Sequence, residues 1–514
     1  MNWSLGRGYI VMKRIVSLIL ILAMTVGLAA CNKSSRKSRT DRDEDQETEY
    51  SEQTYESLEF DEGTDMKTKL LALDSVVSVD EIDAYNKGAE GYRIVFERPL
   101  DPKDPSKGTF ELHVCLSYMG DDVPNVFYCN GYGWHVMVEA TDNPYATSKC
   151  KCNCIRSEYR FYGFSAPEGL DNKSTDLWKY LTSENAASDF HFEIEQFKRI
   201  LSGKWCFSGG SKGGVATLLQ SMYYPDDADV YYALSTPLMY SNDYPGVFDF
   251  IYNDIGNDYM DPEEAAELRE MVLQLQVDVI KHSDTLEEDF QKRVKNYLGD
   301  ELYSEIEDKH MLWDIEVLMA GFGIWQMMSS PVLLGGIDIR EYVEDTMSIE
   351  DEEERAESAF NIVMMTYDDP KFFTSASFYY PYIMEQNREL GLFSMDFSYI
   401  REELRKQGCE DSLYITEEME EQLYARSILT PEQVKEFPYN PEVMENLKKH
   451  LETTDCTIVV VNGTADVWYA YTPEQPDNPN VHIFSVSGAG HEADGGRPDE
   501  VYDILSEEFA PCNF

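Results

Sequence analysis

Basic residues are scarce in this chain: 43 Lys and Arg stand against 96 Asp and Glu, for a formal net charge of −53. Such a surface repels a phosphate backbone, which excludes nucleic-acid binding as a function class. It suits a solvent-facing protein and a cationic substrate terminus. Cysteine is also sparse, ten in 514 residues, and the spacing does not form an orderly disulfide framework. The only cluster, Cys150-Lys151-Cys152-Asn153-Cys154, puts three thiols on alternate residues of a strand. That is a poor tetrahedral zinc site, because paired ligands usually stand roughly two to four residues apart. No metal is expected, whereas a disulfide from one member of the cluster stays open. Cys115, Cys129, Cys206 and Cys456 lie in apolar strand-like runs and read as small buried hydrophobes.

The apolar run near the N-terminus, Ile15 to Gly27, is too short for a comfortable membrane span. With Lys13-Arg14 before it and Leu28-Ala29-Ala30-Cys31 after it, the run reads as an export signal, and Met12 is a better start than Met1. The last four residues resemble a bacterial lipobox, which implies cleavage before Cys31 and lipidation of its thiol; an uncleaved signal anchor is the alternative. From Asn32 to about Thr64 aliphatic residues almost vanish, so this stretch cannot offset its ordering entropy and is expected to be a disordered acidic tether. Together these features place the mature protein on the bacterial cell surface, lipid-anchored on the extracytoplasmic side of the membrane.

What the chain does contain is Gly209-Gly210-Ser211-Lys212-Gly213, a G-x-S-x-G sequence between a short apolar run, Trp205-Cys206-Phe207, and a helical stretch from Gly214 to Leu219. Strand, tight turn and helix make a nucleophile elbow, with the hydroxyl of Ser211 raised above the sheet edge. The Lys212 N–H then sits at a helix N-terminus, where a developing oxyanion is stabilised. An acid and a histidine must follow in that order. The β-branched run Cys456 to Val461 breaks at Asn462-Gly463-Thr464-Ala465-Asp466, which places Asp466 just past a buried parallel strand. A second strand, Val481 to Val486, runs into Ser487-Gly488-Ala489-Gly490-His491, and the chain holds only eight histidines. Ser211, Asp466 and His491 are therefore the expected triad. A turn former and a surface loop residue are the blander readings of the last two.

Strand-like segments precede the elbow at residues 91–96, 110–116, 125–129 and 154–160, followed by a helix from about Thr182 to Leu201. Early hairpin strands and then alternating strand and helix is the order of an α/β-hydrolase fold. In that fold the loop after the third of these segments supplies a second oxyanion donor, so the N–H of Gly131 or Tyr132 is the candidate; a plain glycine turn is the alternative. From about Ser241 to about Glu436 the composition turns helical, which explains the long interval between Ser211 and Asp466. The expected division is a signal and lipobox over 1–31, a tether over 32–66, core over 67–240, a helical cap over 241–436 and core again over 437–514.

Several segments resemble the secreted tripeptidyl and tetrapeptidyl aminopeptidase family of serine peptidases, a distant relative of the prolyl carboxypeptidases. They are Trp205 to Gly214, Tyr224 to Asp229, Asp176 to Thr182, Ala186 to His191, Glu158 to Gly163 and Gly463 to Trp468. The resemblance implies release of short, often proline-ended, peptides from free N-termini by Ser211, Asp466 and His491, with no cofactor. The chain departs from the family's proline-bearing pattern after the acid, having Val467 before Trp468. An aminopeptidase also needs a carboxylate for the substrate ammonium. Glu158, at the end of its strand, is the core candidate; a structural pairing with Arg160 or Arg156 is the alternative. Two rival functions share these features: an esterase or lipase acting on the cell envelope, and a non-catalytic peptide-binding lipoprotein.

Overall fold

A computed structural model describes residues 56–84, 88–133, 152–242, 244, 246–329, 338–366, 370–420, 423, 428–491 and 498–509. The signal, Cys31, Cys150 and most of the tether lie outside these residues. From residue 56, however, the chain already lies against the core, with Leu58 N donating to Arg199 O at 3.1 Å and Met66 buried. Residues 56–66 therefore do not belong to the disordered stretch expected to reach residue 66, because Leu58 and Met66 supply apolar anchors there.

Nine strands form one sheet in the order β1-β2-β3-β5-β4-β6-β7-β8-β9. β1 (Val76–Ile82), β2 (Glu90–Pro99) and β3 (Thr109–Tyr118) make an antiparallel meander, and β3 runs antiparallel to β5 (Asn153–Ser157). β4 (Asn125–Cys129), β6 (Trp205–Gly210), β7 (Val230–Leu234), β8 (Thr457–Gly463) and β9 (Val481–Val486) continue from β5 as a parallel array. β4, β5, β6 and β7 are buried at every residue; β4 and β7 do so with largely apolar runs, whereas β5 buries Asn153, Arg156 and Ser157, with Asn153 and Arg156 hydrogen-bonded to Asn125 and Asn130. β1 carries little strand signal in the sequence, since Val76-Val77-Ser78-Val79 is a short apolar run, half exposed at the sheet edge. The strand expected over 154–160 ends at Ser157, and the chain turns through Tyr159 to Tyr162 instead.

After β4 the chain moves outward to β5 and then returns to β6 on the other side of β4. The carboxyl ends of β4 and β6 therefore flank a topological switch point, where open α/β sheets bind ligands. Helices α1 (Ser183–Lys198) and α2 (Lys212–Tyr223) cross between strands. α1 begins where Thr182 caps it, its side chain accepting from Asn185 N. Parallel array, antiparallel lead-in and elbow helix make this an α/β-hydrolase fold.

Between β7 and β8 the described chain is mainly helical. It includes α3 (Val247–Asn253), α4 (Pro262–Lys281), α5 (Ser283–Glu305), α6 (Lys309–Ser329), α7 (Glu352–Thr366) and α8 (Tyr380–Glu385). Pro262 stands at the start of α4, where its missing N–H costs nothing, and Asp261 caps it. α6 carries the Trp- and Met-bearing stretch and buries Trp313 and Trp325. A further helix, Glu442–Thr453, returns to the core, where His450 Nε2 lies 3.1 Å from Ser221 Oγ on α2.

Candidate active site

Ser211 stands between β6 and α2 with φ 55° and ψ −124°, a conformation rarely held by a residue with a side chain. The strain is maintained by close packing on both sides. Ser211 N donates to Leu234 O at 2.9 Å, and a side chain at Gly209 or Gly213 would collide with the Cys129 carbonyl at the end of β4. Only glycine fits at either place, which is the physical basis of the G-x-S-x-G pattern here. Gly131, at positive φ, packs its backbone directly on Lys212 and Gly213. The loop after β4 thus touches the turn that carries Ser211.

Asp466 and His491 meet at the same sheet edge. Asp466 Oδ2 lies 2.7 Å from His491 Nδ1, and its Oδ1 accepts from Trp468 N at 3.1 Å. Both oxygens of this buried carboxylate are engaged, so its orientation is fixed. A carboxylate partner assigns the proton to Nδ1 and leaves Nε2 as the basic nitrogen. The two loops are also tied to each other, since Ala465 N donates to Ala489 O at 2.9 Å and Gly488 N to Thr464 Oγ1 at 2.9 Å. From the other side, Ser235 N donates to Val461 O at 2.8 Å and Ser235 Oγ to the His491 carbonyl. Ser211 and His491 are thereby fastened to adjacent residues, Leu234 and Ser235, at the end of β7.

Glu158 is not placed as an amine-binding group. Its side chain is fully buried, and Oε2 accepts from Ser165 N at 2.9 Å and Ser165 Oγ at 2.7 Å. The strand ends one residue before it, so the carboxylate turns into the Tyr162 to Ser165 bend instead of the cleft. Arg160 takes a different partner, Asp189, at 2.8 Å, and Arg98 binds the other oxygen of Asp189 at 3.0 Å. Arg156 Nη2 donates to Asn130 Oδ1 at 3.3 Å, bracing the loop after β4. In the cysteine cluster, Cys152 and Cys154 are buried, as are Cys115, Cys129, Cys206 and Cys456. Burial pushes the Cys129 thiol up to about 12, opposed by the Lys212 ammonium and the Gly131 N–H.

The sequence did not point to the side chain of Lys212 or to its partner Glu385. The Lys212 ammonium is buried, 2.8 Å from Glu385 Oε2 and 3.1 Å from the centre of the Tyr159 ring. Burial lowers its affinity for a proton, while Glu385 raises it. The insertion also contributes Phe322 and Phe393, whose rings pack on Trp468 beside Asp466 at 5.1 and 5.5 Å. No motif marked the two phenylalanines, because Phe322 lies in α6 and Phe393 in a bridged extended segment, both distant in sequence from the loop they meet.

The PS-10 peptidase S37 family model matches residues 61–410. The prolyl tri/tetrapeptidyl aminopeptidase of Streptomyces mobaraensis is 28% identical over 199 residues, which is 38% of this chain and 38% of that relative. The match thus spans well under half the length of that relative. Among solved structures, the proline iminopeptidase-related protein of Thermus thermophilus is 11% identical, with 80% of this chain and 95% of that one covered at a TM-score of 0.32. Epoxide hydrolase A of Mycobacterium thermoresistibile is 14% identical, with 83% and 96% covered at a TM-score of 0.28. The family match holds Ser211 and the segments that lead to it but ends before β8, so Asp466 and His491 join the site through the geometry of the sheet. With more than half of its length matched, the chain belongs to the PS-10 peptidase S37 family of serine peptidases.

Proposed function

We propose that this protein is an extracytoplasmic serine peptidase that releases tri- or tetrapeptides from free N-termini through an acyl-enzyme on Ser211. The observation that carries the reading is the 2.7 Å contact of Asp466 with His491 at the strand ends that also hold Ser211 in its strained turn. His491 Nε2 takes the Ser211 proton as Oγ attacks the scissile carbonyl, while Asp466 holds Nδ1–H and supports the imidazolium. The Lys212 N–H and a donor from Gly131 or Tyr132 receive the oxyanion, each lowering the barrier by about 3–4 kcal/mol in sites of this kind. The imidazolium then protonates the departing amine, and water repeats the sequence on the ester. The likeness to a prolyl tri/tetrapeptidyl aminopeptidase supports the choice of substrate, including a proline at the released end.

Chromogenic tripeptides with free and acetylated N-termini, assayed with wild type and Ser211→Ala, test the proposal. Turnover of the free form, a large loss in kcat/KM on acetylation and no turnover by the variant are expected. Equal hydrolysis of both forms by wild type would overturn the aminopeptidase reading and leave a general peptidase or an esterase. The lipid anchor on Cys31 is tested separately: Cys31→Ser should move the protein to the soluble fraction with activity intact. A variant that still sediments with membranes after a high-salt wash refutes the anchor.

A further inference from the structure

The residue after the nucleophile carries a buried charge that the mechanism above does not use. Lys212 is 1% exposed, and its ammonium meets Glu385 Oε2 at 2.8 Å. Glu385 is the last residue of α8 in the insertion, directly before a single π-helical turn, Gln386–Leu390. Tyr159 O–H donates to the other oxygen of Glu385 at 2.5 Å, and the Tyr159 ring faces the ammonium at 3.1 Å. The rings of Tyr162, Tyr132 and Tyr382 lie 5.4, 5.9 and 5.9 Å from the same ammonium. One charge therefore gathers four pieces of chain: the nucleophile turn, the loop after β4, the turn after β5 and the insertion.

Stability alone does not explain such a pair. Desolvating two charges costs roughly as much as their attraction returns, and well-packed apolar residues often serve equally well. A buried pair does impose one geometry, because either partner left alone is heavily penalised. The lysine backbone is itself part of the site, since its N–H opens α2 beside Ser211. Tyr132 is held from a second direction, its carbonyl accepting from Tyr159 N at 3.1 Å.

We infer that the Lys212–Glu385 pair is a positioning device that locks the helical insertion onto the nucleophile turn and so holds the oxyanion donors of Lys212 and the Gly131–Tyr132 loop in register. The device joins substrate enclosure to catalytic geometry: with the insertion seated, the donors face the carbonyl, and with it displaced they do not. This inference rests on Ser211 being the nucleophile.

Fluorophosphonate labelling tests it without knowledge of the peptide substrate, since phosphonylation needs the base-activated nucleophile and the oxyanion donors but no bound peptide. Labelling rate and thermal midpoint are measured for wild type, Lys212→Met, Glu385→Gln, the double variant and Glu385→Asp. Each single variant strands a buried partner and should lower the midpoint, while the double variant removes both charges and should recover most of it. The double variant is nevertheless expected to label at least about tenfold more slowly than wild type, because the donors are no longer fixed. Glu385→Asp, which keeps the charge but shortens the reach, should also label more slowly and lose more in kcat than in KM. A stable double variant that labels at the wild-type rate overturns the inference. Should the double variant not fold, a folded Glu385→Asp protein labelling at the wild-type rate does the same. A wild type that does not label would instead overturn the assignment of Ser211 and take this inference with it.

Discussion

Asp466→Asn isolates the histidine tautomer from the rest of the site. In the native protein Oδ1 accepts from Trp468 N at 3.1 Å and Oδ2 faces His491 Nδ1 at 2.7 Å. An asparagine retains its oxygen toward Trp468 and turns its NH₂ toward Nδ1, so Nδ1 must accept and the proton moves to Nε2. The nitrogen proposed to take the Ser211 proton then has no lone pair for it. The same exchange in the best-studied triad lowers the rate by about 10⁴-fold, which corresponds to roughly 5.4 kcal/mol at 1.36 kcal/mol per decade. Backbone anchoring through Trp468 is kept, so the variant should fold and retain its peptide affinity. The assay is peptide turnover at saturating substrate, with circular dichroism as the control for folding. A folded variant that loses less than about tenfold in kcat would refute the dyad, since tautomer control accounts for orders of magnitude. Glu492 and Asp494, outside the described residues, would then be the next acids to replace.

Ser211→Ala should abolish fluorophosphonate labelling and turnover while leaving the thermal midpoint nearly unchanged, and persistent labelling of the pure variant would refute the nucleophile. Gly213→Ala places a methyl group against the Cys129 carbonyl, so chemical denaturation should show a loss of about 1–3 kcal/mol together with a fall in activity. Glu158→Gln should lower stability by about 1–2 kcal/mol through its weakened bonds to Ser165 and leave the discrimination between free and acetylated peptides unchanged; a shrunken discrimination would restore Glu158 to the substrate site. Burial depresses the His450 imidazole from its ordinary 6.5 to about 4. The unfolded chain therefore binds the extra proton first, and the neutral histidine contributes stability that is present above 6.5 and lost as pH falls through about 4. Thermal melts of His450→Gln against wild type should show a shallower decline across that window, and parallel declines would refute the assignment.

Much of the catalytic machinery was legible in the sequence because its marks are local. A buried parallel strand favours an apolar run, and the loop at its carboxyl end announces itself where the run breaks. That was enough to mark Ser211 after β6, Asp466 after β8 and His491 after β9, and the structure brings the last two within 2.7 Å of each other. The glycines around Ser211 were equally readable, since close approach to Cys129 leaves no room for a side chain. The direction of Glu158 was not, because it depends on β5 ending at Ser157 and on Ser165 folding back to meet the carboxylate. Nor could the anchoring of residues 56–66 be read from a polar composition, since Leu58 finds its partner at Arg199. The pairing of Lys212 with Glu385 is wholly tertiary: periodicity assigns each residue to an element but says nothing about which distant helix faces which turn. Local sequence determined the elements and the ends that carry the chemistry. Packing of the insertion on the sheet decided which charges are buried beside them, because only the assembled fold excludes the water that would otherwise solvate both.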